Sequence, residues 1–138
     1  MPQPDSKLRD THRKTLGRQG EDIAVQMLKD RGFQILGRNI RGGHAEMDIV
    51  CLSGEDVRIV EVKTRQEPIQ GEPWEAVDAK KQRHLVSAAQ KYLHSDEFRL
   101  LRVRYDEIHF DVVTLVWDEV GETCRSEYIP DAFIMIYT

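Results

Sequence analysis

A chain of 138 residues, 40% hydrophobic and 32% charged, is one domain by length, with enough apolar content to bury a core. No apolar run reaches the roughly 20 residues of a membrane helix and the polar N-terminus has no signal-peptide core, so no membrane partner is expected and the cytoplasm is the expected location. A net charge of −4 argues against a protein that coats nucleic acid.

The charge is unevenly spread. Residues 1–20 hold Lys7, Arg9, Arg13, Lys14 and Arg18 against Asp5 and Asp10, a local +3, while the remainder carries 15 basic and 22 acidic residues. Residues 1–15 are polar and aperiodic and read as a flexible N-terminal arm, either a phosphate-touching segment or a solvated lead-in. Residues 16–138 read as a single α/β domain. The two cysteines, Cys51 and Cys124, match no metal-ligand spacing, and Cys51 reads as a buried reduced thiol in a strand.

Helical spacing of Leu16, Ile23, Ala24, Met27 and Leu28 predicts a helix from about Leu16 to Arg31, stopped by Gly32. Glu21 falls either on the edge of its core-facing stripe or in an exposed first turn favoured by the helix dipole. Phe33 to Ile40 reads as a first strand ended by Arg41-Gly42-Gly43. Residues 46–52 and 57–63 then flank a Gly-containing turn, the pattern of a β-hairpin. With the turn centred on Gly54-Glu55, Leu52 faces Val57, Val50 faces Ile59, Asp48 faces Glu61 and Glu46 faces Lys63. All eight share one face, apolar near the turn and charged at the open end. Asp48 opposite Glu61 is a like-charge pair, unfavourable unless a cation lies between them.

Residues 66–73 read as a loop, a possible flap beside that open end. A second helix is expected over Asp78 to His94, with Asp78 as N-cap and Val77, Leu85, Ala88, Ala89, Tyr92 and Leu93 as its buried stripe. Lys80, Lys81 and Arg83 crowd its first turns against the helix dipole, which points to a partner or to neighbouring carboxylates. Gln82 lies beside the stripe. Residues 99–105 are strand or loop. Ile108 to Trp117 is a strand apolar on both faces, so central in a sheet covered by helices. Ser126 to Ile129 and Phe133 to Tyr137 read as short terminal strands, a candidate edge for homodimer formation.

The order helix, three strands, helix, strand implies a mixed sheet flanked by helices. Two carboxylates and a lysine at one sheet end have the composition of a hard divalent-cation site that hydrolyses a phosphodiester. The competing reading is a surface Glu46–Lys63 ion pair with Asp48 and Glu61 facing solvent.

Asp48, twelve intervening residues and then Glu61-Val62-Lys63 resemble the Asp…Glu-x-Lys signature of the PD-(D/E)XK nuclease superfamily. More narrowly, the stretches 17–21, 38–41, 46–50, 60–65, 79–83 and 110–113 resemble the YraN family of bacterial proteins, itself similar to archaeal Holliday-junction resolvases. The resemblance implies a restriction-endonuclease-like core (α-β-β-β-α-β). It also implies Mg²⁺ or Mn²⁺ on Asp48, Glu61 and the Val62 carbonyl, with Lys63 orienting or activating the attacking water. Glu21 would be the acid of the first helix, and Gln82 or Lys81 the polar residue of the second. The implied partner is nucleic acid, DNA with branched or single-stranded character, contacted through Arg41, Arg65, Lys80, Lys81 and Arg83, with Arg38 a competitor for the role of Arg41. Ala45 and His109 depart from the pattern, where glycine and arginine are usual. A non-catalytic nucleic-acid-binding or adaptor module on the same fold is the alternative.

Overall fold

The computed structural model describes residues 6–68 and 78–133. Most of the expected flap, the position of Val77 and the strand residues after Phe133 lie outside them. In chain order the elements are α1 (Ser6–Asp30), β1 (Gln34–Gly42), β2 (Ala45–Ser53), β3 (Asp56–Gln66), α2 (Ala79–Leu93), a short α3 (Asp96–Arg99), β4 (Glu107–Trp117) and β5 (Cys124–Phe133). The five strands form one sheet in the order β1-β2-β3-β4-β5. β3 and β4 run parallel and the other neighbours antiparallel. This is an α/β fold with a mixed sheet flanked by helices, compatible with a restriction-endonuclease-like core.

Each sheet face carries its own apolar cluster. Ala24, Val25 and Leu28 of α1 pack on Ile49, Cys51, Val60, Val113 and Leu115. On the other face Leu85, Ala88, Ala89, Tyr92 and Leu93 of α2 pack on Val50, Val57, Ile59, Phe110 and Val112. β4 is buried on both faces, as the apolar residues on both its faces imply. Cys51 is buried and free, and burial pushes its thiol up to about 12.

The hairpin keeps the expected register from Leu52–Val57 to Ile49–Val60, closed by Ser53–Asp56. Gly54 at φ 61° takes the first central position of a two-residue turn, where a positive φ suits glycine. The ladder then stops. The expected Asp48–Glu61 and Glu46–Lys63 partners do not pair; Glu46 pairs with Arg41 of β1 instead. The cause is local. The Asp48 carboxylate accepts the Val62 N–H at 2.8 Å, taking the place of a strand carbonyl. Strict alternation would put Met47 and Val50 on opposite faces, yet both belong to the cluster under α2. β2 therefore changes phase beside the acids.

α2 matches its expected extent, and the Asp78 side chain caps it by accepting from Lys81 N–H. Two expectations change. α1 begins at Ser6, ten residues before the apolar spacing starts, because residues 6–15 lack the proline or glycine that would stop a helix. β5 runs from Cys124 to Phe133, longer than the expected 126–129 strand, and the second terminal strand falls almost wholly outside the described residues. Between Ile129 and Phe133 it bulges opposite Asp111, with register partners Val112–Ile129 and Phe110–Phe133. The Asp131 N–H in that bulge donates to Asp111 Oδ1 at 2.8 Å.

Candidate active site

The end of the β2–β3 ladder opens into a cleft of about 540 Å³ lined by residues 44–46, Asp48, 61–63, Asp78, Lys80, Lys81 and His84. Strand β2 delivers Asp48, β3 delivers Glu61 and Lys63, and the first turns of α2 deliver Lys80, Lys81 and His84. The three elements meet because Leu85, Ala88 and Tyr92 anchor α2 on the same sheet face from which Glu61 projects. Gly42 makes that approach possible. A Cβ there would lie 2.9 Å from Ala88 Cα, closer than atoms pack.

The acids are held in an unfavourable state. The Glu61 side chain is 3% exposed and Lys81 Nζ lies 3.5 Å from its Oε2. Its Oε1 is buried with no hydrogen-bond partner, which is costly for a carboxylate oxygen. Burial, and then the Glu61 charge, push Asp48 up to about 7, against the lowering pull of the Val62 N–H and Lys81. Lys63 is driven the opposite way. Burial and the adjacent Lys81 ammonium bring it down to about 8, although Glu61 and Asp48 favour its charge. Lys81 suffers burial too, but its contacts with Lys63 and Glu61 outweigh it and raise its pKa. Of the two lysines, Lys81 holds its proton more firmly, through its hydrogen bond to Lys63 and then its pairing with Glu61.

The other expected site residues are placed as follows. Glu21 does not line the cleft. It is raised by burial and then by the Asp48 charge, so it lies within electrostatic reach, but it bonds to Asn39 and sits 3.8 Å from Arg38. Arg38 is also tied to Asp22 at 2.9 Å. Gln82 is beside the cleft without lining it, whereas Lys81 enters it. Of the remaining basic residues, Lys80 lines the rim, Arg41 and Arg83 are exposed, and Arg65 is partly buried further along β3.

Two lining residues go unmentioned in the sequence reading. His44 lies in the β1–β2 turn and His84 lies one turn beyond Lys81, their rings 5.6 Å apart. A signal for α2 existed. Positions 81, 85, 88, 89 and 92 form one helical stripe, so Lys81 heads the buried face. His44 had none, since its position depends on how the turn meets α2.

Residues 20–115 match the family described as "Uncharacterised protein family UPF0102". Among curated relatives, a UPF0102 protein of Chlorobium chlorochromatii is 47% identical over 118 residues, covering 86% of this chain and 90% of that protein. One of Magnetococcus marinus is 44% identical over 120 residues, 87% and 92% of the two chains. One of Dictyoglomus turgidum is 36% identical over 120 residues, 87% and 98%.

Proposed function

This chain belongs to the uncharacterised family UPF0102, and we propose that it is a divalent-metal-dependent phosphodiester hydrolase, an endonuclease or resolvase-like enzyme acting on nucleic acid. One observation carries the reading. Glu61 Oε1 is buried without a partner beside an Asp48 carboxyl pushed up to about 7 by burial and by Glu61 itself. Lys81 offsets this only in part; a cation between the two carboxylates would relieve both.

The donor set fits Mg²⁺ or Mn²⁺, which take carboxylate and carbonyl oxygens and keep water for a phosphate. Asp48, Glu61 and the Val62 carbonyl would hold the ion, which supplies Lewis-acid polarisation and a more acidic bound water. The Val62 N–H fixes one oxygen of Asp48 and so sets the direction in which the other points. Lys63, with its pKa brought down to about 8, surrenders its proton more readily than an ordinary lysine and is the group suited to orient or deprotonate the attacking water. Lys81 keeps its charge and stands where it would offset negative charge developing on the phosphoryl oxygens. Lys80 and Arg83 extend this basic lip along α2 toward the flanking phosphates.

The test is cleavage of branched, single-stranded and duplex DNA with Mg²⁺ or Mn²⁺. Wild type should cut at least one of them, and Asp48→Ala and Lys63→Met should lower the rate by 100-fold or more. Absence of metal-dependent cleavage on all three, with salt-sensitive binding unchanged by Asp48→Ala and Glu61→Ala, would leave the non-catalytic binding module as the function.

A further inference from the structure

The other end of the sheet carries a second constellation on the opposite face. The parallel register sets Asp56 beside Glu107 and Arg58 beside His109. Period-two alternation then directs Asp56, Glu107 and His109 to the face that carries α1. One donor atom from each lies within 4.8 Å of the other two. The distance from Asp56 to Glu61, five residues along β3, is ~16 Å, so this group is separate from the cleft.

Its histidine is held like a metal ligand. Asp131 Oδ1 lies 2.6 Å from His109 Nδ1, and Asp131 is itself fixed by its N–H bond to the buried Asp111. A carboxylate on Nδ1 draws the ring proton to that nitrogen and leaves the Nε2 lone pair pointing outward. Nε2 faces Glu107 Oε2 at 3.1 Å and Asp56 Oδ2 at 3.4 Å. It is nevertheless shut off from solvent and has no hydrogen-bond partner of acceptable geometry. One ring nitrogen and an oxygen from each of two carboxylates thus stand within reach of a single ion.

We propose that Asp56, Glu107 and His109 Nε2 form a second divalent-metal site, with Asp131 as the positioning residue that fixes the imidazole. One nitrogen and two carboxylate donors select a borderline transition ion of the Zn²⁺, Co²⁺ or Mn²⁺ class over Mg²⁺ or Ca²⁺, which prefer oxygen alone. The ion clamps the starts of β3 and β4 and, through Asp131, the bulge of β5. Its role is to hold the sheet together far from the cleft.

The experiment is done on the full chain carrying Asp48→Asn and Glu61→Gln, so that the two carboxylates proposed to hold the cleft ion are gone. Zn²⁺ binding by calorimetry and Co²⁺ binding by visible absorption should each give one equivalent, and Zn²⁺ should raise the unfolding temperature. Adding His109→Ala should weaken binding by 100-fold or more. Asp131→Asn should weaken it by about 10- to 100-fold, the range for groups that orient a ligating imidazole. Glu107 is 69% exposed, so Glu107→Gln leaves the fold intact and tests the site even if His109→Ala does not fold; it should cost at least tenfold. Zn²⁺ affinity changed by less than twofold in Glu107→Gln would overturn the proposal, as would no binding at millimolar Zn²⁺. These outcomes are independent of DNA cleavage, so they stand or fall apart from the activity assigned to the cleft.

Discussion

Asp48→Asn should make the metal-free protein more stable at neutral pH. The acid titrates at about 7 in the fold against an ordinary 3.8, because burial and Glu61 disfavour its charge. The folded state therefore holds this proton more tightly than the unfolded chain. That contribution is complete below pH 3.8 and disappears as pH rises through about 7. A shift of about three units corresponds to at most ~4 kcal/mol. Asp48 is partly exposed to water, so on the order of 2 kcal/mol is the realistic cost of its charge. Asparagine carries no charge but keeps an oxygen for the Val62 N–H. In EDTA its melting temperature should match wild type near pH 4 and exceed it by about 6 °C at pH 8. The assay is thermal unfolding by circular dichroism across that range, with Glu61→Gln as a second probe of the same repulsion. A difference that does not change with pH, or an Asn variant less stable throughout, would mean that the charge is already compensated inside the protein. The argument for a cation in the cleft would then lose its support.

Other consequences rest on stability alone. Asp111 is fully buried and receives Arg58, Tyr128 and the Asp131 N–H. Asp111→Ala strands all three donors and should cost about 3–5 kcal/mol in urea unfolding, with Asp111→Asn costing less. At Gly42 even one methyl meets the Ala88 backbone, so Gly42→Ala should cost about 1–3 kcal/mol in the same assay. Asp78→Ala removes the α2 cap and should cost about 1 kcal/mol in thermal unfolding.

What the sequence discloses follows from how local each determinant is. The β2–β3 register needs only two β-rich runs and a glycine, and it holds from Ser53–Asp56 to Ile49–Val60. The α2 limits need only a capping aspartate and a 3.6-residue stripe. The acid pair could be foreseen as neighbours, but its geometry depends on Asp48 capturing the Val62 N–H, a choice of side chain over backbone that no periodicity encodes. Asp111 illustrates the other limit. A carboxylate inside the run Phe110-Asp111-Val112-Val113 demands a buried partner. Arg58 becomes that partner only once β3 and β4 are known to lie side by side and parallel, 53 residues apart in the chain. The β5 bulge has the same origin. Pro130 interrupts a regular ladder and Asp131 takes a φ of 52°, but that its N–H turns inward to Asp111 Oδ1 depends on the fold.

The overall charge of −4 is therefore the wrong quantity from which to judge a phosphate-bearing partner. Glu55, Asp56, Asp106, Glu107 and Asp131 gather at the hairpin-turn end of the sheet, around His109. Lys63, Lys80 and Lys81 gather at the other end, around the cleft. The ends are separated by ~16 Å of β3, against a Debye length of about 8 Å at physiological ionic strength. A phosphate at the cleft feels the nearby lysines almost unscreened and the distant acids only weakly. Raising salt should therefore weaken nucleic-acid binding in proportion to the few cations at the cleft. The field where the substrate would lie is set instead by the balance between those lysines and the cleft's own Glu46, Asp48, Glu61 and Asp78, which a bound divalent cation would tip toward positive.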